Sequence, residues 1–185
     1  MTLQLDRRLL TVNDYHKMID AGIFTKNDHV ELLNGEIIKM SPVKSSHSGK
    51  VNRIQTLLSY LLFQKAIISV QNPISIKPLS EPEPDICILK LREDYYENNH
   101  PKGEDVILLI EVSDTTLQKD KTVKADLYAR GGVLDYWIID VKAQSIECYS
   151  NPHNGKFKSI ELKDGDDKMT IPYFNIEIMA SQLLG

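Results

Sequence analysis

The sequence predicts an α/β domain: a mixed central sheet flanked by helices, with peripheral hairpins. Three observations carry this. VILLIEV (106–112) is almost continuously apolar, the pattern of a strand buried on both faces. DYWIIDV (135–141) repeats that pattern after a helical stretch over 116–130 that stops at Gly131-Gly132. Upstream, Val51, Ile54, Leu57, Leu58, Leu61 and Leu62 recur at helical spacing and give a helix one apolar face. Strands and helices in this succession bury a sheet beneath helices.

The elements follow in order. Thr11 or Asn13 caps a short first helix, TVNDYHKMIDAG, which ends near Gly22. HVELLNGEIIKMS comes next, and its Asn34-Gly35 pair is a strong two-residue hairpin turn between apolar flanks. Ser45 or Ser46 caps the longer helix, which runs to about Gln64. AIISVQNPISIKP alternates as a strand or bent hairpin, and EPDICIL supplies a central strand. Residues 91–104 are charged and hydrophilic, and fit a surface loop or short helix. After DYWIIDV, SIECYS pairs beside it. FKSIELKDGDDKMTI reads as a peripheral hairpin turning near Gly165, and EIMASQLL as a short terminal helix. With no internal repeat or low-complexity linker, the 185 residues fit one domain, 1–185.

Composition narrows the functional classes. Hydrophobic residues make up 42% and charged residues 26%, a globular balance rather than a disordered one. Twenty-two basic against 26 acidic side chains give a formal charge of −4. That balance argues against bulk attraction to nucleic acid, so a binding face must be a local basic patch. Cys87 and Cys148 lack metal-ligand spacing and read as buried thiols of a reducing compartment, with a bridge between them the alternative in an oxidising one. The start lacks an apolar signal core, and the longest aliphatic run, 106–110, is too short to span a bilayer. A cytoplasmic location is expected.

The chemistry concentrates in two stretches. Asp85 directly follows Pro84 at the start of an apolar run, and Glu111 sits at the far end of another. Carboxylates in such places are costly unless paired or holding a cation. Two of them on neighbouring strands make a hard, oxygen-rich site suited to Mg2+ or Mn2+. A lysine from the following helix would then orient water or stabilise phosphoryl charge. Lys119, Lys121 and Lys124 all compete for that place, and periodicity alone does not separate Lys121 from Lys124. No P-loop pattern, zinc spacing or nucleophile elbow is present.

The ordered set of Asp85, Glu111 and a helical lysine resembles the PD-(D/E)XK nuclease superfamily. More narrowly, the chain resembles the Uma-type family of restriction-endonuclease-like proteins. ELLNGEIIKMSP, His47, EPDICIL, LLIEVSDTTLQKDKTVKADLYARGGV, DYWIID and EIMASQLL carry the match across nearly the whole chain. The resemblance implies a restriction-endonuclease-like core. One departure from the superfamily stands out: the local (D/E)-x-K pattern would need lysine at 113, where this chain has Ser113. The narrower family shifts the lysine to the next helix, which matches Lys124. Asp120, four residues earlier on the same face, is expected to orient Lys124 or a water. The resemblance also implies Glu36 as a further metal-side carboxylate, and the position of His47 at a helix start would let it contact a phosphate or a metal-bound water.

Each residue has a structural reading beside the functional one. Asp85 alone fits a turn or strand start, and Glu111 a structural salt bridge. Lys124 alone is most simply a solvated helix residue, and Asp120 a favourable charge in a first helical turn. Glu36 fits a solvated strand residue and His47 a helix-start residue. Tyr128 and Trp137 read as core or interface aromatics. Lys39, Lys44, Lys50 and Arg53 fit either a basic edge or ordinary solvated charges. Only the joint pattern favours a site. The expected activity is divalent-metal-dependent endonucleolytic cleavage of DNA. Asp85 and Glu111 hold the metal with the Val112 carbonyl, and Lys124 serves the water or the phosphoryl charge. A non-catalytic nucleic-acid-binding relic is the alternative, as is a nuclease acting on RNA or branched DNA. A homodimer is expected on the ground that duplex cleavage needs two active sites.

Overall fold

The computed structural model describes residues 7–25 and 27–185. Helix α1 (Val12–Asp20) starts from a reciprocal cap: Thr11 Oγ1 accepts from the Asp14 amide at 3.1 Å, and the Asp14 carboxylate accepts from the Thr11 amide at 3.1 Å. Strands β1 (Val30–Leu33) and β2 (Glu36–Lys39) form the first hairpin. Asn34 and Gly35 take φ values of 51° and 81°, the left-handed pair that this tight turn requires. Helix α2 (Ser45–Leu61) buries Val51, Ile54 and Leu58. Its cap position is Lys44, with no side-chain cap bond, so the expected serine cap does not form and Ser45 is already helical.

Six strands build the central sheet: β3 (Ile67–Val70), β4 (Ile86–Leu89), β5 (Val106–Ser113), β6 (Tyr136–Asp140), β7 (Ser145–His153) and β8 (Lys156–Lys163). They lie side by side in chain order. β5 and β6 are parallel, and the other neighbours are antiparallel. A parallel pair needs a crossover, which the helical segment 117–130 supplies. It consists of α3 (Leu117–Lys119), a π-helical turn (Asp120–Lys124) and α4 (Ala125–Arg130). Every residue of β5 is buried because apolar layers cover both sheet faces. Leu108, Ile110 and Val112 join α2 in one core cluster, whereas Leu109 joins Ala125 and Tyr128 in the other. Alternation therefore sends Glu111 to the face covered by α4.

The stretch 157–171 corrects an expectation, since it is not a hairpin turning near Gly165. β8 folds back on β7 through Asn154-Gly155, with φ values of 52° and 72°, and so widens the main sheet. β9 (Lys168–Ile171) pairs instead with β10 (Ile176–Met179). The apolar residues Met169, Ile171 and Ile178 explain this, because they pack into the α2-side core. Helix α5 (Ala180–Leu184) closes that layer. Among the described residues, no helix is long and apolar enough to cross a membrane.

Candidate active site

Antiparallel pairing of β4 with β5 sets Ile86 across from Ile110. Asp85 immediately precedes β4 and lies beside the part of β5 that carries Glu111 and Val112. Asp85 Oδ2 accepts from the Val112 amide at 2.9 Å and is 3.0 Å from His47 Nε2. His47 reaches it from the first turn of α2. Its Nδ1 is enclosed without a hydrogen-bond partner. Asp85 Oδ1 receives only a 3.4 Å contact from Gln71 Nε2.

Glu111 is held from the helical side. Its Oε1 accepts from Lys124 Nζ at 2.8 Å and from the Tyr128 hydroxyl at 2.7 Å. Lys124 also lies 3.7 Å from Glu31 Oε2, and Lys119 Nζ is 3.1 Å from Glu31 Oε1. Asp120 Oδ2 accepts from Ser113 Oγ at 2.7 Å and Thr116 Oγ1 at 2.6 Å. Asp120 thus fastens the π-helical turn to the end of β5, and Lys124 extends from that turn. Both are buried, at 2% and 5% exposure. Ser113, at the position where a superfamily lysine would stand, serves as a donor to Asp120.

These groups line a cleft of about 510 Å³ that contains His47, Asp85, Glu111, Val112, Asp120 and Lys124. Glu36 does not join them. It lies on the exposed end of the hairpin and pairs with Arg7 at 2.6 Å. Glu31, one strand earlier, is the hairpin carboxylate that reaches the cleft. Its sequence signal is the same as that of Glu111: a carboxylate within an apolar strand. Lys121 pairs with Glu147 of β7 and is absent from the cleft lining, whereas Lys119 stands at the rim. Of the basic residues upstream, Lys44 lines the cleft and pairs with Asp114 at 3.2 Å. Tyr128 and Trp137 are core aromatics, but the Tyr128 hydroxyl has the additional task of holding Glu111.

Charge in the cleft is unbalanced towards acid. Glu31, Glu83, Asp85, Glu111, Asp114 and Asp120 face Lys44, Lys119 and Lys124. Burial pushes Glu111 up to about 8, against the opposing pull of Lys124, and the charges of Asp85 and Asp120 add to the rise. Burial also raises Asp85, but the His47 hydrogen bond, the His47 charge and the Val112 amide outweigh it and hold Asp85 below its ordinary value. The Asp85 hydrogen bond raises His47. Burial would lower Lys124, yet Glu111, Glu31 and Asp120 together hold it firmly protonated. The donor set suits a divalent cation. Asp85 Oδ1 is weakly engaged, and Glu111 carries a desolvation penalty that a cation would offset.

A family model, Uma2, described as "Putative restriction endonuclease", matches residues 12–181. No curated protein matches the chain. A crystal structure of a "putative nuclease belonging to DUF820" from Anabaena variabilis superposes with a TM-score of 0.70 at 18% identity. That alignment covers 95% of this chain and 97% of the other, and it establishes the shared fold.

Proposed function

Because the chain belongs to the Uma2 family and has the fold of a nuclease-like protein, we propose that it is a divalent-metal-dependent endonuclease that hydrolyses DNA phosphodiester bonds. The observation that carries this reading is the buried Lys124 ammonium, 2.8 Å from Glu111 and beside the strand end bearing Asp85. Asp85 and Glu111, with the Val112 carbonyl, would hold Mg2+ or Mn2+. Bound there, the ion would supply phosphate polarisation and a lowered water pKa.

The protein's own groups have distinct parts in this reading. His47 and the Val112 amide fix the orientation of the Asp85 carboxylate. Tyr128 fixes Glu111 from the opposite side. Asp120, anchored by Ser113 and Thr116, sets the turn from which Lys124 reaches inward. Lys124 stabilises the negative charge that develops on the phosphoryl group. Lys44 and Lys119 at the rim meet the phosphate backbone, a local basic contribution in an acidic chain. Two chains related by a twofold axis would cut both strands, and sedimentation at micromolar concentration tests that assembly.

The deciding experiment incubates purified protein with supercoiled plasmid and Mg2+ or Mn2+, with RNA and branched DNA in parallel. Nicked or linear plasmid that disappears with chelator and in Asp85→Ala is expected. Absence of DNA cleavage in both metals, or equal cleavage by Asp85→Ala, would reject the reading.

A further inference from the structure

A second depression shares no lining residue with the cleft and holds His16, Glu81 and His100. The three come from separate parts of the chain: α1, the loop before β4, and the loop between β4 and β5. Each offers a ligand atom, and these atoms all lie within 4.8 Å of one another. Among the described residues, no other trio of His, Cys, Asp or Glu meets that condition.

Glu81 is the informative member. It is 4% exposed, and its amide donates to the Leu32 carbonyl at 2.8 Å, which pins it to the first hairpin. Its Oε1 is 2.7 Å from His16 Nε2, but Oε2 is enclosed without any hydrogen-bond partner. A buried carboxylate oxygen left unsatisfied is costly, and native structures rarely keep one without reason. The His100 ring stands edge-on to His16, with centroids 6.3 Å apart.

We propose that His16, Glu81 and His100 bind a transition-metal dication, zinc before others, at a site separate from the nuclease-type cleft. Two imidazoles and one carboxylate suit zinc, whereas magnesium prefers an all-oxygen shell. Ligands about 2.0–2.1 Å from zinc in a tetrahedron stand roughly 3.3 Å apart, so His100 has a short distance to close. His100 is exposed on its loop, which leaves it free to make that movement. Three protein ligands leave the fourth position to water. The single carboxylate and two neutral imidazoles leave a net positive centre, and Glu81 gains the partner it lacks. The metal ties α1 and the 91–102 loop to the first hairpin.

The test titrates metal-free protein with Zn2+ by calorimetry in excess Mg2+, and the same titration of Asp85→Asn reads any zinc taken by the cleft. Co2+ absorbance in the visible region then reports the geometry. One zinc per chain is expected, with a rise in thermal midpoint and a tetrahedral-type cobalt spectrum. His100→Ala removes an exposed ligand, so the chain still folds, as circular dichroism verifies. This variant should weaken zinc by more than about 100-fold, beyond the roughly 10–100-fold typical of outer-shell losses. Asp85→Asn should leave zinc binding intact. No zinc binding, equal affinity in His100→Ala, or loss of zinc in Asp85→Asn overturns the proposal. The plasmid assay reads the cleft independently, so failure of one site leaves the other unaffected.

Discussion

Lys124 Nζ and Glu111 Oε1 meet at 2.8 Å between a helical turn and a strand end, with their side chains 6% and 5% exposed. Asp120 and Lys124 stand four residues apart on one face of the π-helical turn and both point inward, Asp120 towards Ser113 and Lys124 towards Glu111. Such turns recur at functional sites because they redirect a side chain without ending the helix.

Lys124→Met is therefore expected to damage both stability and turnover. A solvated lysine could be removed without cost to folding, but this one donates to Glu111 and balances the charge of Glu31 inside the protein. Breaking a buried pair costs roughly 3–5 kcal/mol. Urea unfolding should show a midpoint well below wild type, partly restored by Mg2+. Plasmid cleavage, measured where the variant is folded, should fall by at least about 100-fold. Normal cleavage by folded Lys124→Met would remove this lysine from the mechanism.

The neighbouring lysines should separate cleanly. Lys121 faces Glu147 on β7, so Lys121→Ala is expected to cleave within about threefold of wild type, with any loss appearing in stability. Lys119 lines the rim beside Glu31, so Lys119→Ala should weaken DNA binding, and lower salt should offset the loss. Filter binding across a salt series, paired with cleavage rates, distinguishes the two. A dead Lys121→Ala beside an active Lys119→Ala would reverse this assignment.

Metal binding and pH should be linked through Glu111. Unfolded, this carboxyl ionises near 4.5, and folded at about 8. Between those values the folded chain keeps a proton that the unfolded chain has lost. The stabilisation is complete below about pH 4.5 and is lost as pH rises towards 8. The raised His47 adds a loss of the same sign above its ordinary value of 6.5. Asp85, held low, acts oppositely and loses its contribution only in acid. A divalent ion favours ionised Glu111, so Mg2+ should stabilise more at pH 8 than at pH 6. Calorimetry in two buffers of different ionisation enthalpy should show proton release on binding near neutrality. Buffer-independent heats would argue that Glu111 is already ionised or does not ligate.

The sequence exposes parts of this arrangement unequally. β5 is legible because burial on both faces leaves an unbroken apolar run, in which a lone Glu111 stands out. The meeting of Asp85 with Glu111 follows from two adjacent strands of that type. Lys124 is harder, since Lys121 stands three residues before it on the same side of a helix, and only the family spacing and Asp120, four residues before Lys124, favour it. Glu31 escapes notice because hairpin glutamates usually face solvent, although Val30, Leu32 and Leu33 around it carry the same apolar signal as β5. The Asn154-Gly155 turn has the same chemistry as Asn34-Gly35. It is masked by the polar residues around it and by the acidic turn near Gly165.

The two hairpin glutamates give the sharpest contrast. Glu36 is exposed and pairs with Arg7 on the surface, where such pairs contribute little. Glu36→Ala should leave the thermal midpoint, magnesium affinity and cleavage close to wild type. Glu31 is 1% exposed and receives both Lys119 and Lys124. Glu31→Gln keeps the shape but removes the charge that helps hold Lys124 protonated and aimed. Loss of cleavage by about tenfold or more is expected, with magnesium affinity changed less because Asp85 and Glu111 remain. Paired assays of the two variants decide which carboxylate of the hairpin serves the cleft. If Glu36→Ala were inactive and Glu31→Gln were normal, the first hairpin would have to rearrange on binding DNA, carrying Glu36 inward in place of Glu31.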